Sequence, residues 1–212
     1  MDMAARTGAW TPSGAPLPYD AEVEYIGGGG NQFVDTGLLV SDAYRVEMKA
    51  GFVSEPNSND VWLMGDWNGY CFLFGYYMGL RVRVGKDTSS CSADVPYTSG
   101  AHIFRATDTN TSIDETNGGI NWSFLPHNGR NIVIGKSWHV NRTHTERRFW
   151  YVKLLDRFGN LVRDFIPVRF TNSLGQTEGT MYDRVSGQLF RNAGTGAFII
   201  GPDKVSQLGG GV

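Results

Sequence analysis

Three neighbouring stretches in the last third of the chain decide the fold. They are Arg163–Val168 (RDFIPV), Met181–Phe190 (MYDRVSGQLF) and Asn192–Phe198 (NAGTGAF). In the second stretch, apolar residues flank a turn from Asp183 to Gly187, which predicts two strands joined by a tight connection. The run Ala197–Ile200 reads as one more strand, which closes the sheet.

A second set of motifs near the front of the chain pairs with these stretches. It consists of Glu22–Ile26 (EVEYI) and Gln32–Gly37 (QFVDTG). Together, the two sets resemble a concanavalin A-like, laminin G-related jelly-roll module of gut-bacterial surface proteins and phage structural proteins. The resemblance covers about residues 17 to 203 at both ends, and the middle matches only in pattern. It implies an antiparallel two-sheet jelly roll, pairing of the first and last strands, and a non-enzymatic class.

The composition and charge of the chain limit the classes of function that are expected for it. The chain has 212 residues, 41% hydrophobic and 19% charged, which fits one large all-β domain with a real core. With a net charge of −2, the chain lacks the excess of positive charge that binds nucleic acid or an anionic membrane. Neither is expected as a partner. The two cysteines, Cys71 and Cys91, do not form a disulfide framework. The first residues lack the basic and apolar regions of a secretory signal peptide.

The chain divides into an extended N-terminal arm (1–18), a jelly-roll lectin-like domain (19–203) and a flexible Gly-rich tail (204–212). An Ala/Gly/Pro-rich arm becomes ordered when its own domain, a neighbouring copy or a larger assembly holds it. Trp10, Pro12 and Pro16 are therefore predicted assembly residues. Arg142, Arg147 and Arg148 form a local basic spot with His144, which is either a solvated loop or an ionic contact to a neighbouring subunit, and Arg142 and Arg147 are further predicted assembly residues.

Between the two ends, the dominant period is two. Val46, Met48, Ala50 and Phe52 alternate with polar residues, and Leu80–Val84 repeats the pattern, as half-buried antiparallel strands do. Trp150, Val152 and Leu154 are likewise expected on one face of a strand. That strand leads into a turn at Asp156–Asn160, in which Gly159 needs a positive φ. No segment of twelve or more residues has a helical apolar stripe, so the fold class is all-β.

The residues that resemble catalytic motifs do not have the spacing that those motifs require. Gly135-Lys136-Ser137 resembles the end of a phosphate-binding loop, but Arg130 stands where that loop needs glycine. Glycoside hydrolases on jelly rolls carry alternating carboxylates about 5.5 Å apart. Asp114 and Glu115 are adjacent and read as turn residues, and Glu22 with Glu24 lies beside a solvent edge. We expect no catalytic residue.

Metal and cofactor sites are not expected either. His102, His127, His139 and His144 are scattered without a ligand spacing. The loops Asn57–Asp60 and Asp66–Gly69 carry the oxygen atoms that Ca²⁺ prefers, but such loops are more often plain turns.

Aromatic residues form the strongest positive signal. The cluster comprises Trp62, Trp67, Tyr70, Phe72, Phe74, Tyr76 and Tyr77. On a strand, the even-numbered residues from Tyr70 to Tyr76 share one face, which is either core or a surface that stacks on sugars. Trp122 and Trp138 are in loop-like contexts. The predicted ligand-binding residues are Trp67, Tyr70, Tyr76, Trp122 and Trp138.

Three hypotheses of function remain. The first is a non-enzymatic structural protein of a phage virion (head decoration, head fibre or tail-associated), whose lectin-like domain binds host glycans. Its arm would contact other virion proteins or copies of the chain itself. The second is a carbohydrate-binding lectin of a gut bacterium, extracellular or on the cell surface. The third is a glycoside hydrolase on the same fold. The step from fold to role rests on analogy, and the first hypothesis is favoured.

Overall fold

The computed structural model describes residues 16–39, 45–56, 61–67, 70–76, 78–86, 91–107, 110–118, 130–136 and 145–205. Within them the secondary structure is all β, in seventeen strands. These are β1 (Ala21–Glu22), β2 (Ile26–Gly28), β3 (Val34–Leu39), β4 (Arg45–Phe52), β5 (Val61–Trp67), β6 (Tyr70–Tyr76), β7 (Leu80–Lys86), β8 (Cys91–Val95), β9 (His102–Ala106), β10 (Thr111–Ile113), β11 (Thr116–Gly118), β12 (Asn131–Ile134), β13 (Arg147–Leu155), β14 (Leu161–Thr171), β15 (Thr177–Asp183), β16 (Gln188–Phe190) and β17 (Ile199–Ile200). The predicted all-β class is confirmed. None of these residues belongs to a helix that could cross a membrane.

The described strands form two antiparallel sheets. The first sheet has the order β11-β10-β9-β4-β13-β14-β15-β16, and β1, β2 and β17 pair beside this path. The second sheet has the order β3-β12-β5-β6-β7-β8. One hydrophobic cluster takes residues from both sheets, for example Met48 and Phe165 from the first and Leu63 and Phe74 from the second. The core therefore lies between the sheets, as in a β-sandwich.

The alternating apolar and polar residues of β4 face the sides that the sequence predicts. Val46, Met48, Ala50 and Phe52 of β4 are all buried in the shared core, while the intervening Glu47 and Lys49 are half-buried. A period of two puts these two sets on opposite faces of the strand. The side of the first sheet that faces away from the second sheet is called the outer face below.

The two ends of the chain meet in the first sheet. Ile199 and Ile200 of β17 pair with Gly27 and Ile26 of β2, whereas the first strand, β1, pairs with β14. The turn at Asp156–Asn160 joins β13 to β14, and Gly159 has a φ of 85°, as expected for its position.

A β-bulge in β13 corrects one prediction. Phe149 pairs with Ala50 and Tyr151 with Lys49, so Trp150 is the extra residue of the strand. Phe149 is buried in the core, and Trp150 and Tyr151 follow it as half-buried residues outside that core. The prediction that Trp150 shares a face with Val152 was wrong, because a bulge shifts the alternation by one residue.

Candidate functional site

Tyr76 is a core residue. Its side chain is only 7% exposed, its ring contacts Phe52 and Tyr97 edge-on, and its hydroxyl donates to Glu55 Oε1 at 2.8 Å. Phe74, on the same face of β6, is completely buried. This face packs against the first sheet, so the assignment of Tyr76 as a ligand-binding residue is corrected.

Most other predicted site residues lie beyond what the structure describes. The backbones of Trp67 and Tyr70 belong to β5 and β6, but their side chains are outside the described part. Trp122, Trp138, Trp10, Pro12, Arg142 and the loop at 57–60 are outside the described residues altogether. Pro16 is described and exposed. These assignments remain predictions.

Arg147 is buried. It is 1% exposed, and its Nη2 donates to the backbone oxygens of Gly30 and Gln32 at 2.9 and 3.3 Å. Burial lowers the pKa of its guanidinium to about 10. It begins β13 on the inner side, so the assignment of Arg147 to an exposed basic spot or subunit contact is corrected. Its hydrogen bonds instead hold the glycine-rich segment that precedes β3.

The residues that carry the family resemblance are tied to one another. Asn192 Oδ1 accepts hydrogen bonds from the backbone N–H of Phe33 at 3.1 Å and of Gly194 at 2.9 Å. Asn192 Nδ2 donates to Gly196 O at 2.5 Å. Ala193 N donates to Phe33 O at 2.8 Å. The NAGTG loop is thereby fastened to the QFVDTG segment.

Two ion pairs fasten the remaining motif residues. Arg184 reaches Asp164 Oδ2 with Nη2 at 2.7 Å, and Arg163 Nε lies 3.5 Å from Asp183 Oδ2. Asp183 is completely buried and also accepts from the backbone N–H groups of Asp164 and Val185. We call these contacts and those of Asn192 the motif seam. The polar side chains of the seam are used for folding.

The only described histidine is the first residue of β9. His102 Nδ1 lies 2.8 Å from Asp114 Oδ2, and its Nε2 lies 3.1 Å from Thr98 Oγ1 and 3.0 Å from Thr98 O. Burial opposes ionisation of Asp114, but hydrogen bonds from Ile103 N–H and His102 outweigh it and lower the pKa of Asp114. The His102 ring therefore links the start of β9 to Thr98 and to the turn at Asp114. Asp114 and Glu115 form a turn, as predicted.

No group of three or more histidine, cysteine, aspartate or glutamate side chains that could hold a metal ion occurs in the described part of the chain. Among the histidines singled out from the sequence, those at 127, 139 and 144 fall outside that part.

An aromatic and charged patch lies on the outer face. The rings of Tyr25 and Trp150 are 5.6 Å apart at an interplanar angle of 53°, and the Arg148 guanidinium carbon is 4.4 Å from the centre of the Tyr25 ring. Glu146 Oε1 accepts from Arg148 Nε at 3.0 Å and lies 2.9 Å from its Nη2. We call these four residues the outer-face patch.

Local structure explains why the patch forms. Arg148 precedes the buried Phe149 and faces outward, and the bulge turns Trp150 to the same side. A Cβ on Gly201 would lie 2.9 Å from the Tyr25 ring, so a glycine there lets the ring lie close to the backbone. Sequence reasoning placed Arg148 only in a local basic spot and did not predict Tyr25 or Trp150 as site residues. The signal was the run Phe149-Trp150-Tyr151, because three consecutive aromatic residues cannot all face one core.

Fold and patch together define a two-sheet all-β protein with an aromatic–guanidinium surface. Comparison with protein-family models, with curated proteins and with solved structures finds no match to this chain.

Proposed function

We propose that this protein is a non-enzymatic structural module of a phage virion, attached as a head decoration, head fibre or tail-associated protein. Its sandwich would be a jelly roll of the concanavalin A-like type, and its N-terminal arm would contact other virion proteins or further copies of the chain. It would need no cofactor. The resemblance of both chain ends to phage structural modules supports this role.

The observation that carries the proposal is the fastened root of the arm. Tyr19 packs on Tyr182 with ring centroids 5.0 Å apart, and a small apolar cluster of the outer face surrounds this pair. Asp20 N donates to Arg169 O at 2.9 Å, and β1 then pairs with β14. These contacts join the segment that follows the proposed arm directly to the first sheet.

The arm is tested by truncation. The mass of the full chain in solution is compared with that of a variant lacking residues 1–18, by size-exclusion chromatography with light scattering. The truncated variant keeps Tyr19 and β1, and its fold is checked by circular dichroism. We expect the full chain to form a defined oligomer and the truncated variant to be monomeric. Equal masses for two folded proteins would contradict the proposal.

A second candidate function is a secreted or surface-bound bacterial lectin. The outer-face patch favours it, since aromatic rings beside a planar charged pair are suited to sugars. A lectin without a structural role would be monomeric or dimeric whether or not residues 1–18 are present, and it would bind glycans in both forms.

A further inference from the structure

We propose that the outer-face patch binds a neutral pyranoside through two neighbouring hydroxyl groups. The inference deepens the proposed function by giving the glycan-binding part of that role a site and a ligand chemistry. It rests on the four residues Tyr25, Glu146, Arg148 and Trp150.

The aromatic part of the patch is arranged in advance. The Arg148 guanidinium lies over the Tyr25 ring, and the Cδ1–Cε1 edge of that ring lies beside the backbone at Gly201, so the protein itself holds the ring in place. The Trp150 ring packs against the Tyr25 ring at an interplanar angle of 53°, and Trp150 is half-buried. An indole ring whose position is fixed by a bulge loses little conformational freedom when a sugar stacks on it.

The charged part of the patch points to a neutral ligand. Arg148 and Glu146 form an ion pair, so together they offer no net charge to a phosphate or an acidic sugar. Arg148 Nη1 and Glu146 Oε2 have no hydrogen-bond partner in the described part of the chain. A donor beside an acceptor matches two adjacent hydroxyls, because each hydroxyl can both donate and accept.

The size of the patch fits one or two sugar rings. Glu146, Arg148 and Trp150 are alternate residues that approach and enter β13. At roughly 3.3 Å per residue, this row is ~13 Å long before the bulge shortens it. Gly27 lies beside the row, and a Cβ there would be 3.4 Å from Arg148 Cγ. The buried Gly27 also lets β2 lie close to β13, since the same Cβ would be 2.9 Å from Arg147 O.

The test uses the full-length protein and an array of neutral hexose-terminated glycans with sialylated and uronate-terminated glycans beside them. We expect neutral pyranosides to bind, and Trp150→Ala to weaken binding at least about tenfold, as the loss of one aromatic contact implies. Binding by Trp150→Phe should be intermediate. Circular dichroism of both variants shows whether they remain folded.

Phe158→Ala is the matched control. Phe158 is 73% exposed and has the Arg157 guanidinium 4.6 Å from its ring centre, but it lies in the β13–β14 turn and outside the patch. This variant should bind as the unmodified chain does. Glu146→Gln frees the charge of Arg148 and should shift the preference toward uronates.

Two results would overturn the assignment. One is a folded full-length chain that binds no neutral glycan, and the other is unchanged binding by folded Trp150→Ala. Either outcome is distinguishable from failure of the virion role, because that role is read from the mass of the protein with and without residues 1–18.

Discussion

The motif seam and the outer-face patch use polar side chains for different purposes. In the seam, Asp183 is completely buried, and Asn192 binds the backbone of two separate segments. In the patch, Arg148 and Glu146 are each about one-third exposed and keep one polar atom apiece unpaired among the described residues. Seam residues hold the front and back motifs together, whereas patch residues are partly exposed.

The difference between the seam and the patch bears on what can be inferred from the sequence resemblance. The quoted motifs supply the residues of the seam, so similarity at those positions follows the fold and says little about a ligand. The patch draws on Tyr25 from a quoted motif, but Trp150 and Arg148 come from the middle of the chain, where the resemblance is only one of pattern. Function on this sandwich therefore has to be argued from the site.

The largest expected effect is at Asp183. Replacement by Ala removes the acceptor for Asp164 N–H, Val185 N–H and Ser186 Oγ, and leaves Arg163 without its carboxylate. Loss of one partner from a buried charged network costs about 3–5 kcal/mol. We expect a loss of that size in the free energy of unfolding, measured with urea.

Asp156→Ala is the matched control for Asp183. Asp156 also begins a hairpin turn and accepts from the backbone N–H groups of Phe158 and Asn160, but that turn is exposed. Its replacement should lower the free energy of unfolding much less. Equal losses at Asp156 and Asp183 would remove the distinction between buried seam and exposed turn.

A smaller effect is expected from Gly194→Ala. The new Cβ would overlap the carbonyl oxygen of Asn31 and lie 2.9 Å from the Phe33 ring. Overpacking of this kind costs about 1–3 kcal/mol. Urea unfolding of Gly175→Ala gives the comparison, since Gly175 has a φ of 76° and open space around it. There only the left-handed backbone is strained, at about 1 kcal/mol. If Gly194→Ala were as stable as the unmodified chain, the close packing of the seam would be refuted.

Sequence pattern predicts the regular strands and misses their irregularities. Alternation is sufficient for β4, because its inner residues are apolar and its outer ones are charged. It fails in β13, where the bulge at Trp150 depends on pairing with β4. It fails again for Arg147, since a charged residue at a strand end reads as exposed unless the carbonyls that bind it are known. Contacts distant in sequence decide both cases.

The smallest effect concerns two half-buried tyrosines and can be read by titration. Burial, followed by the charge of a neighbouring carboxylate, raises the pKa of Tyr19 and of Tyr151 to about 12. The carboxylates are those of Glu22 and Glu47. The pKa of an unfolded tyrosine is about 10. The folded state therefore holds these protons more tightly, and the resulting stabilisation is complete below about pH 10 and is lost as the pH rises through about 12.

Phenolate absorbance measures this directly. We expect Tyr19→Phe and Tyr151→Phe each to remove one tyrosine from the fraction that ionises near pH 12. Glu47→Gln should move only the Tyr151 ionisation toward pH 10, because it removes the charge and leaves the burial largely in place. Should Tyr151 titrate unchanged in Glu47→Gln, burial alone would account for its shift. A fraction ionising near pH 12 that is unchanged by Tyr19→Phe would mean that Tyr19 is solvated, and the attachment proposed for the arm would lose its support.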